Sequence, residues 1–255
     1  LTGRIREIGP EYRGGVDAKK GDPVATLVSL TLTPLKLEKI NKVHLEREQV
    51  EVEGYAILFE SGVAVKLPGD FSRNAALAIL DVAGAPAQTL TLVKKGMNVG
   101  IIGTGKSGLL CAAMARKIMG KDGRITGIAR REESAVPLKE WGYIDDYLVA
   151  SAHDPVEVFE RVHEKTSGRL FDLVLNTTNT PNTEMATILS TRDGGTAYFF
   201  NMATSFTAAA LGAEGIGKDV TLLIGNGYLP DHAKISLDLV RGDKILKRYF
   251  EEKYS

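Results

Sequence analysis

Three glycines, Gly103, Gly105 and Gly108, stand in the spacing G-x-G-x-x-G directly after the apolar run Val99-Gly100-Ile101-Ile102. Each has a separate job in holding a pyrophosphate. The first permits a tight turn, the second lets the backbone approach the phosphates, and the third lets a helix pack close to the strand. Thr104, Lys106 and Ser107 fill the remaining places, at a helix N-terminus whose unpaired N–H groups and partial positive charge suit a phosphate. The same letters, read from Gly100 to Ser107, also satisfy the P-loop pattern G-x-x-x-x-G-K-[ST]. A P-loop needs its first glycine beyond the strand, and a later acid to help hold Mg²⁺. Here Gly100 lies inside the apolar run, and the later run Leu173-Val174-Leu175 ends in Asn176. Dinucleotide binding is therefore the favoured reading, with a nucleotide hydrolase as its rival.

The next strand bears on which dinucleotide. An NAD site usually places Asp or Glu at its end, to hold the adenosine ribose hydroxyls. Ile125-Thr-Gly-Ile-Ala129 ends instead in alanine, followed by Arg130 and Arg131. Two guanidinium groups suit a ribose 2′-phosphate, because arginine pairs with phosphate bidentately. The expected cofactor is NADP or NAD. Two later loops, Asn176-Thr177-Thr178-Asn179-Thr180 and Asn201-Met202-Ala203-Thr204-Ser205, follow apolar strands and carry small polar residues. Asn176, Thr177, Thr178, Asn201, Met202 and Ala203 are candidate contacts for the nicotinamide half or a substrate. They serve equally as caps of the helices that follow.

These groups need a doubly wound α/β scaffold to bring them together. From residue 96 onward, strands and helices alternate at βαβ spacing. Strands are expected at Asn98–Gly103, Arg124–Ala129, Leu148–Val149, Leu173–Asn176, Thr196–Phe200 and Val220–Ile224. Helices are expected near Lys106–Met119, Glu132–Trp141, Pro155–Ser167, Asn182–Ser190, Thr207–Gly212 and Asp231–Arg241. The strands are almost wholly apolar, as in a parallel sheet covered on both faces. Residues 1–72 read instead as a β-rich domain. Its strands are Arg4–Ile8, Val24–Val28, Gln49–Leu58 and Val63–Leu67, with turns at Gly9-Pro10, Gly14-Gly15 and Lys20–Pro23 and a short helix at Lys36–Ile40. Residues 73–255 form the dinucleotide-binding domain. It opens on a linking helix, Asn74–Val82, capped by Ser72 and broken by Gly84-Ala85-Pro86, and a further helix runs from Gln88 to Val93.

The composition is that of an ordinary globular protein, with 255 residues and no formal net charge, so nothing points to nucleic acid or a membrane surface. No apolar run is long enough for a membrane span, and a cytoplasmic location is expected. One cysteine, Cys111, rules out an internal disulfide and reads as a small packed side chain. His44, His153, His163 and His232 show no metal-ligand spacing, so no metal site is expected. The chain opens at Leu1 directly into a strand, which gives the expectation of a fragment lacking upstream sequence.

With these pieces in place the chain resembles the medium-chain dehydrogenase/reductase superfamily. The likeness rests on Gly3-x-Ile-x-Glu-Ile-Gly9, Lys20-Gly21-Asp22-Pro23-Val24-Ala25, Val63-x-Val-Lys-Leu-Pro68, the glycine turn, and Glu140-Trp-Gly142-Tyr-Ile-Asp145-Asp146. The resemblance implies that residues 1–72 are the remainder of a GroES-like catalytic domain. Leu27–Leu35, Asn176–Asn179 and Tyr249–Tyr254 are similar to a narrower family, the L-erythro-3,5-diaminohexanoate dehydrogenases of lysine fermentation. That likeness implies oxidation of an amine to an iminium, which water hydrolyses, with no metal needed to polarise an alcohol. It also implies a small amino-acid substrate whose ammonium groups need acidic partners. Asp81, near the end of the linking helix, is the candidate catalytic acid or base. A homodimer through Val220–Ile224 is implied as well. The alternatives are a zinc-free alcohol or quinone reductase of the same superfamily, a P-loop hydrolase, and a dinucleotide sensor without catalysis.

Overall fold

Two short strands, β1 (Thr2–Arg4) and β2 (Pro23–Thr26), pair antiparallel, and the pairing runs on into the turn through Ile5 N–H to Asp22 O and Gly21 N–H to Ile5 O. A computed structural model shows this arrangement and describes residues 1–13, 16–27, 33–47, 49–225 and 227–254. The expected turn at Gly14-Gly15, and the end of the second strand from Val28, lie outside those residues. The chain packs as two units, Leu1–Asp81 with Glu251–Ser255, and Val82–Phe250.

In the first unit, β5 (Ala64–Lys66) pairs with β2, giving a three-stranded sheet in the order β1-β2-β5. A separate ribbon joins β3 (Leu35–His44) to β4 (Gln49–Ala56). The helix expected at Lys36–Ile40 is therefore a strand, and the cause is visible in the register. Shifts between Leu37 and Lys39, and between Ile40 and Lys42, each insert one extra residue. The bulges stretch the strand period locally to three, so Leu35, Leu37, Ile40 and Val43 stay on one face, opposite Ala56, Gly54, Val52 and Val50. Read along the chain, that spacing imitates a helix. The other face carries charge, with Lys39 paired to Glu53 and His44 to Glu51. Helix α1 (Arg73–Leu80) follows, capped by the Ser72 hydroxyl on Ala75 N–H and burying Ala75, Ala76 and Ile79.

The second unit starts with α2 (Gly84–Leu92). Gly84-Ala85-Pro86 begins this helix rather than breaking it. Pro86 falls in the first turn, where a missing N–H costs nothing. Gly84 is there for space, since a Cβ on it would lie 2.1 Å from the Gly227 carbonyl oxygen. Then come β6 (Asn98–Ile102), α3 (Lys106–Met119), β7 (Arg124–Ala129), α4 (Glu132–Glu140), β8 (Asp146–Val149), α5 (Pro155–Lys165) and β9 (Phe171–Asn176). The unit continues with α6 (Glu184–Ser190), β10 (Thr191–Phe199), α7 (Phe206–Gly215), β11 (Val220–Ile224), α8 (His232–Arg241) and α9 (Lys244–Tyr254), whose last residues count with the first unit. All six strands are parallel, in the order β11-β10-β9-β6-β7-β8. This is the doubly wound sheet expected from the sequence.

The order reverses between β6 and β9. With right-handed crossovers, the helices before and after that reversal fall on opposite faces. Accordingly α2, α3 and α8 pack with one another, and α6 packs against both α5 and α7. The core is aliphatic and aromatic, with Ile101, Ile125, Phe171, Leu175 and Phe199 almost wholly buried. The helix α9 was absent from the sequence reading. It is mostly charged, and only Leu246 and Phe250, four apart, are fully buried.

Candidate active site

The reversal leaves a crevice at the carboxyl ends of β6 and β9, where doubly wound sheets take their ligands. Gly103 follows β6 with φ +90°, a conformation that side-chain-bearing residues rarely adopt, and its N–H donates to Ile128 O on β7 at 2.9 Å. Gly108 lies so close beneath the turn that an added Cβ would sit 1.9 Å from Gly103 O. Gly105 stands at the N-cap of α3, exposed, with no side chain to satisfy the helix and nothing within 4 Å of where a Cβ would be. The cradle is open where a pyrophosphate needs room and closed where the helix needs contact. It fits a dinucleotide.

The same geometry removes the P-loop alternative. Gly100 sits in the middle of β6 with the Phe171 ring 2.6 Å from its would-be Cβ, so it is a packing position. Only three residues, Gly103, Thr104 and Gly105, separate strand from helix. Thr104 is buried, its hydroxyl 2.7 Å from that of Ser134 on α4, and Lys106 and Ser107 form the half-buried first turn of α3.

The loop after β9 is bolted to this turn. Thr177 donates its N–H to Ile102 O (2.8 Å) and its hydroxyl to Gly103 O (2.9 Å), while Thr178 N–H donates to Asn176 Oδ1. Asn176 corrects an expectation. Its side chain is 0 % exposed and its amide is fully used, donating to the Thr183 and Thr187 hydroxyls and accepting from Thr178 and Asn201. It positions both loops from below and offers no atom to a ligand. Asn201 sits half-buried above it and folds its own loop, its Oδ1 accepting from Ala203 N–H and the Thr204 hydroxyl. Met202 is 95 % exposed.

Glu184 was missed by the sequence reading. It is 3 % exposed at the first residue of α6, and its carboxylate accepts from Ser205 N–H at 2.7 Å, tying the loop after β9 to the loop after β10. An acid opening an apolar helix after a polar loop was the available signal.

At the end of β7, Ala129 is buried while Arg130 and Arg131 are exposed. Among the described residues neither guanidinium has a hydrogen-bond or ion-pair partner, and Arg131 is the N-cap of α4. Asp145, in the glycine-then-acid segment, is structural: it accepts from Ile125 N–H and pairs with Arg116 at 2.7 Å. Burial pushes the Cys111 thiol up to about 12, against a hydrogen bond with Thr89 that lowers it, so the cysteine is a packed side chain. Among the described residues no three His, Cys, Asp or Glu side chains gather in a way that could hold a metal ion. Asp81 is exposed at the C-cap of α1, in the first unit, its N–H bonded to Leu77 O. No single helix among the described residues is long and apolar enough to cross a membrane.

Residues 1–68 match the family described as L-erythro-3,5-diaminohexanoate dehydrogenase N-terminal domain. A protein named L-erythro-3,5-diaminohexanoate dehydrogenase from Acetoanaerobium sticklandii is 51 % identical over all 255 residues, which span 74 % of its length. One of the same name from Fusobacterium nucleatum is 46 % identical with the same coverage. Among solved structures, a mycobacterial protein complexed with NADPH is similar with a TM-score of 0.65 at 18 % identity, over 95 % of this chain and 70 % of that one. A quinone oxidoreductase from Pseudomonas syringae follows at 0.64 and 20 %, over 94 % and 68 %. These two likenesses concern the fold.

Proposed function

The chain belongs to the L-erythro-3,5-diaminohexanoate dehydrogenase family, and on that premise we propose that it is a nicotinamide-dependent dehydrogenase of 3,5-diaminohexanoate. The proposed reaction takes the diamino acid, water and NAD(P)⁺ to 5-amino-3-oxohexanoate, ammonium and NAD(P)H with release of a proton. The observation that carries it is identity of about half the residues across the whole chain to a relative of that name. The glycine cradle supports the cofactor half of the reading. When bound, the nicotinamide supplies the hydride acceptor.

The chain's own residues hold and orient. Gly103, Gly105 and the first N–H groups of α3 receive the pyrophosphate, with Lys106 beside them. Arg130 and Arg131 take the ribose 2′-phosphate of NADP, and the reading favours NADP over NAD on their account. Thr177, Thr178 and the Asn201–Ala203 loop line the nicotinamide half, on the footing that Asn176 and Glu184 give them. Asp81 serves the substrate, as base or as partner of an ammonium group.

The test is a titration of the chain with NADPH, NADH and MgATP, followed by nicotinamide fluorescence and thermal stability, beside an Arg130→Ala/Arg131→Ala variant. Tight NADPH binding that weakens about tenfold or more in the variant, with NADH little changed, is expected. Binding of MgATP alone overturns the reading. In a turnover assay that follows ammonium release from 3,5-diaminohexanoate, Asp81→Asn is expected to be slower by about a hundredfold, with nucleotide binding in the titration retained. Unchanged ammonium release in that variant removes Asp81 from the proposal.

A homodimer and a cytoplasmic location belong to the same proposal. β11 is the outer strand of the sheet, and the neighbouring α7 leaves Phe206, Leu211 and Ile216 exposed. Open strand edges beside apolar surface invite pairing. Solution scattering that gives the mass of one chain counts against the dimer.

A further inference from the structure

Four charged residues in a row, Arg130, Arg131, Glu132 and Glu133, turn the chain from β7 into α4. Neither arginine's guanidinium has a partner among the described residues, but the Glu132 carboxylate has one. The Tyr147 hydroxyl, on β8, donates a hydrogen bond to its carboxylate. Tyr147 pairs in register with Gly127 on β7, and its Cβ lies 3.8 Å from where a Cβ on Gly127 would be, next to Thr104 and Ile144. Lys139 lies over its ring, the ammonium 5.4 Å from the ring centre and 3.2 Å from Asp146. The tyrosine therefore stands on the face of the sheet that carries the glycine turn and the start of α4, and it is fixed there.

A carboxylate close to two arginines has two ways to spoil a phosphate site. It can pair with a guanidinium, which must then be pulled free before a phosphate can use it. It can also repel the phosphate directly. Tethering that carboxylate to a neutral hydroxyl on the neighbouring strand prevents both. We propose that Tyr147 is a positioning residue for cofactor choice: by holding the Glu132 carboxylate on β8, it keeps Arg130 and Arg131 available to a ribose 2′-phosphate. The inference rests on the phosphate role given to the arginines above. The bond to Glu132 also raises the Tyr147 pKa, so the hydroxyl remains a donor throughout the neutral range. Glu133 is exposed and has no hydrogen bond among the described residues, which makes it the internal control.

The experiment measures NADPH and NADH affinities of the chain by nicotinamide fluorescence, with no turnover required. The variants are Tyr147→Phe, Tyr147→Phe/Glu132→Gln, Glu133→Gln and Arg130→Ala/Arg131→Ala. Tyr147→Phe is expected to shift the ratio of the two affinities about fivefold toward NADH, the size of one hydrogen bond's net worth. Adding Glu132→Gln is expected to restore the ratio, while Glu133→Gln leaves it unchanged. Using a ratio guards against misfolding, which lowers both affinities together. A ratio that stays put in Tyr147→Phe while falling in the arginine variant overturns the role of Tyr147 alone. A shift that persists in the double variant also overturns it, because Glu132 is then not the route. A ratio that ignores the arginine variant removes the phosphate reading and this inference with it, and so does a chain that binds neither nucleotide.

Discussion

Gly108 has no room for a methyl group. The atom that a Cβ would strike is the Gly103 carbonyl oxygen, part of the turn backbone, with Thr177 Oγ1, which is hydrogen-bonded to that oxygen, 3.1 Å away. A rotating side chain cannot relieve such a clash, so the helix must move off the strand. Gly108→Ala is expected to cost about 1–3 kcal/mol of stability, the range for overpacking in a well-packed site. It should cost more stability than Gly105→Ala, whose Cβ meets nothing in the protein and acts instead by filling the room a pyrophosphate needs, weakening dinucleotide binding. Chemical denaturation and fluorescence titration check both halves. This glycine turn was legible in the sequence because the backbone itself demands the residue type. Asn176 was not: nothing in an Asn at the end of an apolar strand says whether its amide faces a ligand or the threonines of the next helix. The answer depends on Thr183 and Thr187, seven and eleven residues further on, folding back over it.

The same division between local and folded information holds for whole elements. Arg124–Ala129, Lys106–Met119 and Val220–Ile224 form as expected, since each is a clean apolar run or an amphipathic stretch between turn residues. The ribbon at β3 deceived the reading because two bulges give a strand the spacing of a helix. The elements are further tied by charges that no periodicity reveals. Asp146 opens β8 and pairs with Lys139 at the end of α4, Lys165 at the end of α5, and Arg124 on β7. Partial burial alone would raise its pKa, but the bonds from Lys165, the Tyr147 N–H and Lys139 outweigh that and bring it to about 2. A carboxylate depressed in the fold stabilises above its unfolded pKa near 4 and loses that contribution as pH falls toward 2. Thermal stability is therefore expected to decline between about pH 4 and 2, and Asp146→Asn to flatten that part of the curve. An equally steep acid decline in the variant would place the linkage elsewhere.

For the whole molecule, the order of strands along the chain was enough to expect a doubly wound sheet, and the reversal between β6 and β9 then fixed where the loops converge. The division into units was harder to read. The expected boundary fell after residue 72, whereas the packing divides after Asp81 and returns residues 251–254 to the first unit. That return includes a hydrogen bond from Ser72 N–H to the Glu251 carboxylate, between residues 179 positions apart. On the ribosome this sets a timetable. At roughly 5–20 residues per second, Ser72 emerges something like ten to forty seconds before the acid that caps it. Meanwhile the βαβ unit encoded between them can be made and folded in full. Nascent chains halted before and after residue 251 should then differ in the protease resistance of the first unit and not of the second. If the two units become resistant together, the cap does not set the order. If they do not, the unit made earlier is the unit finished later.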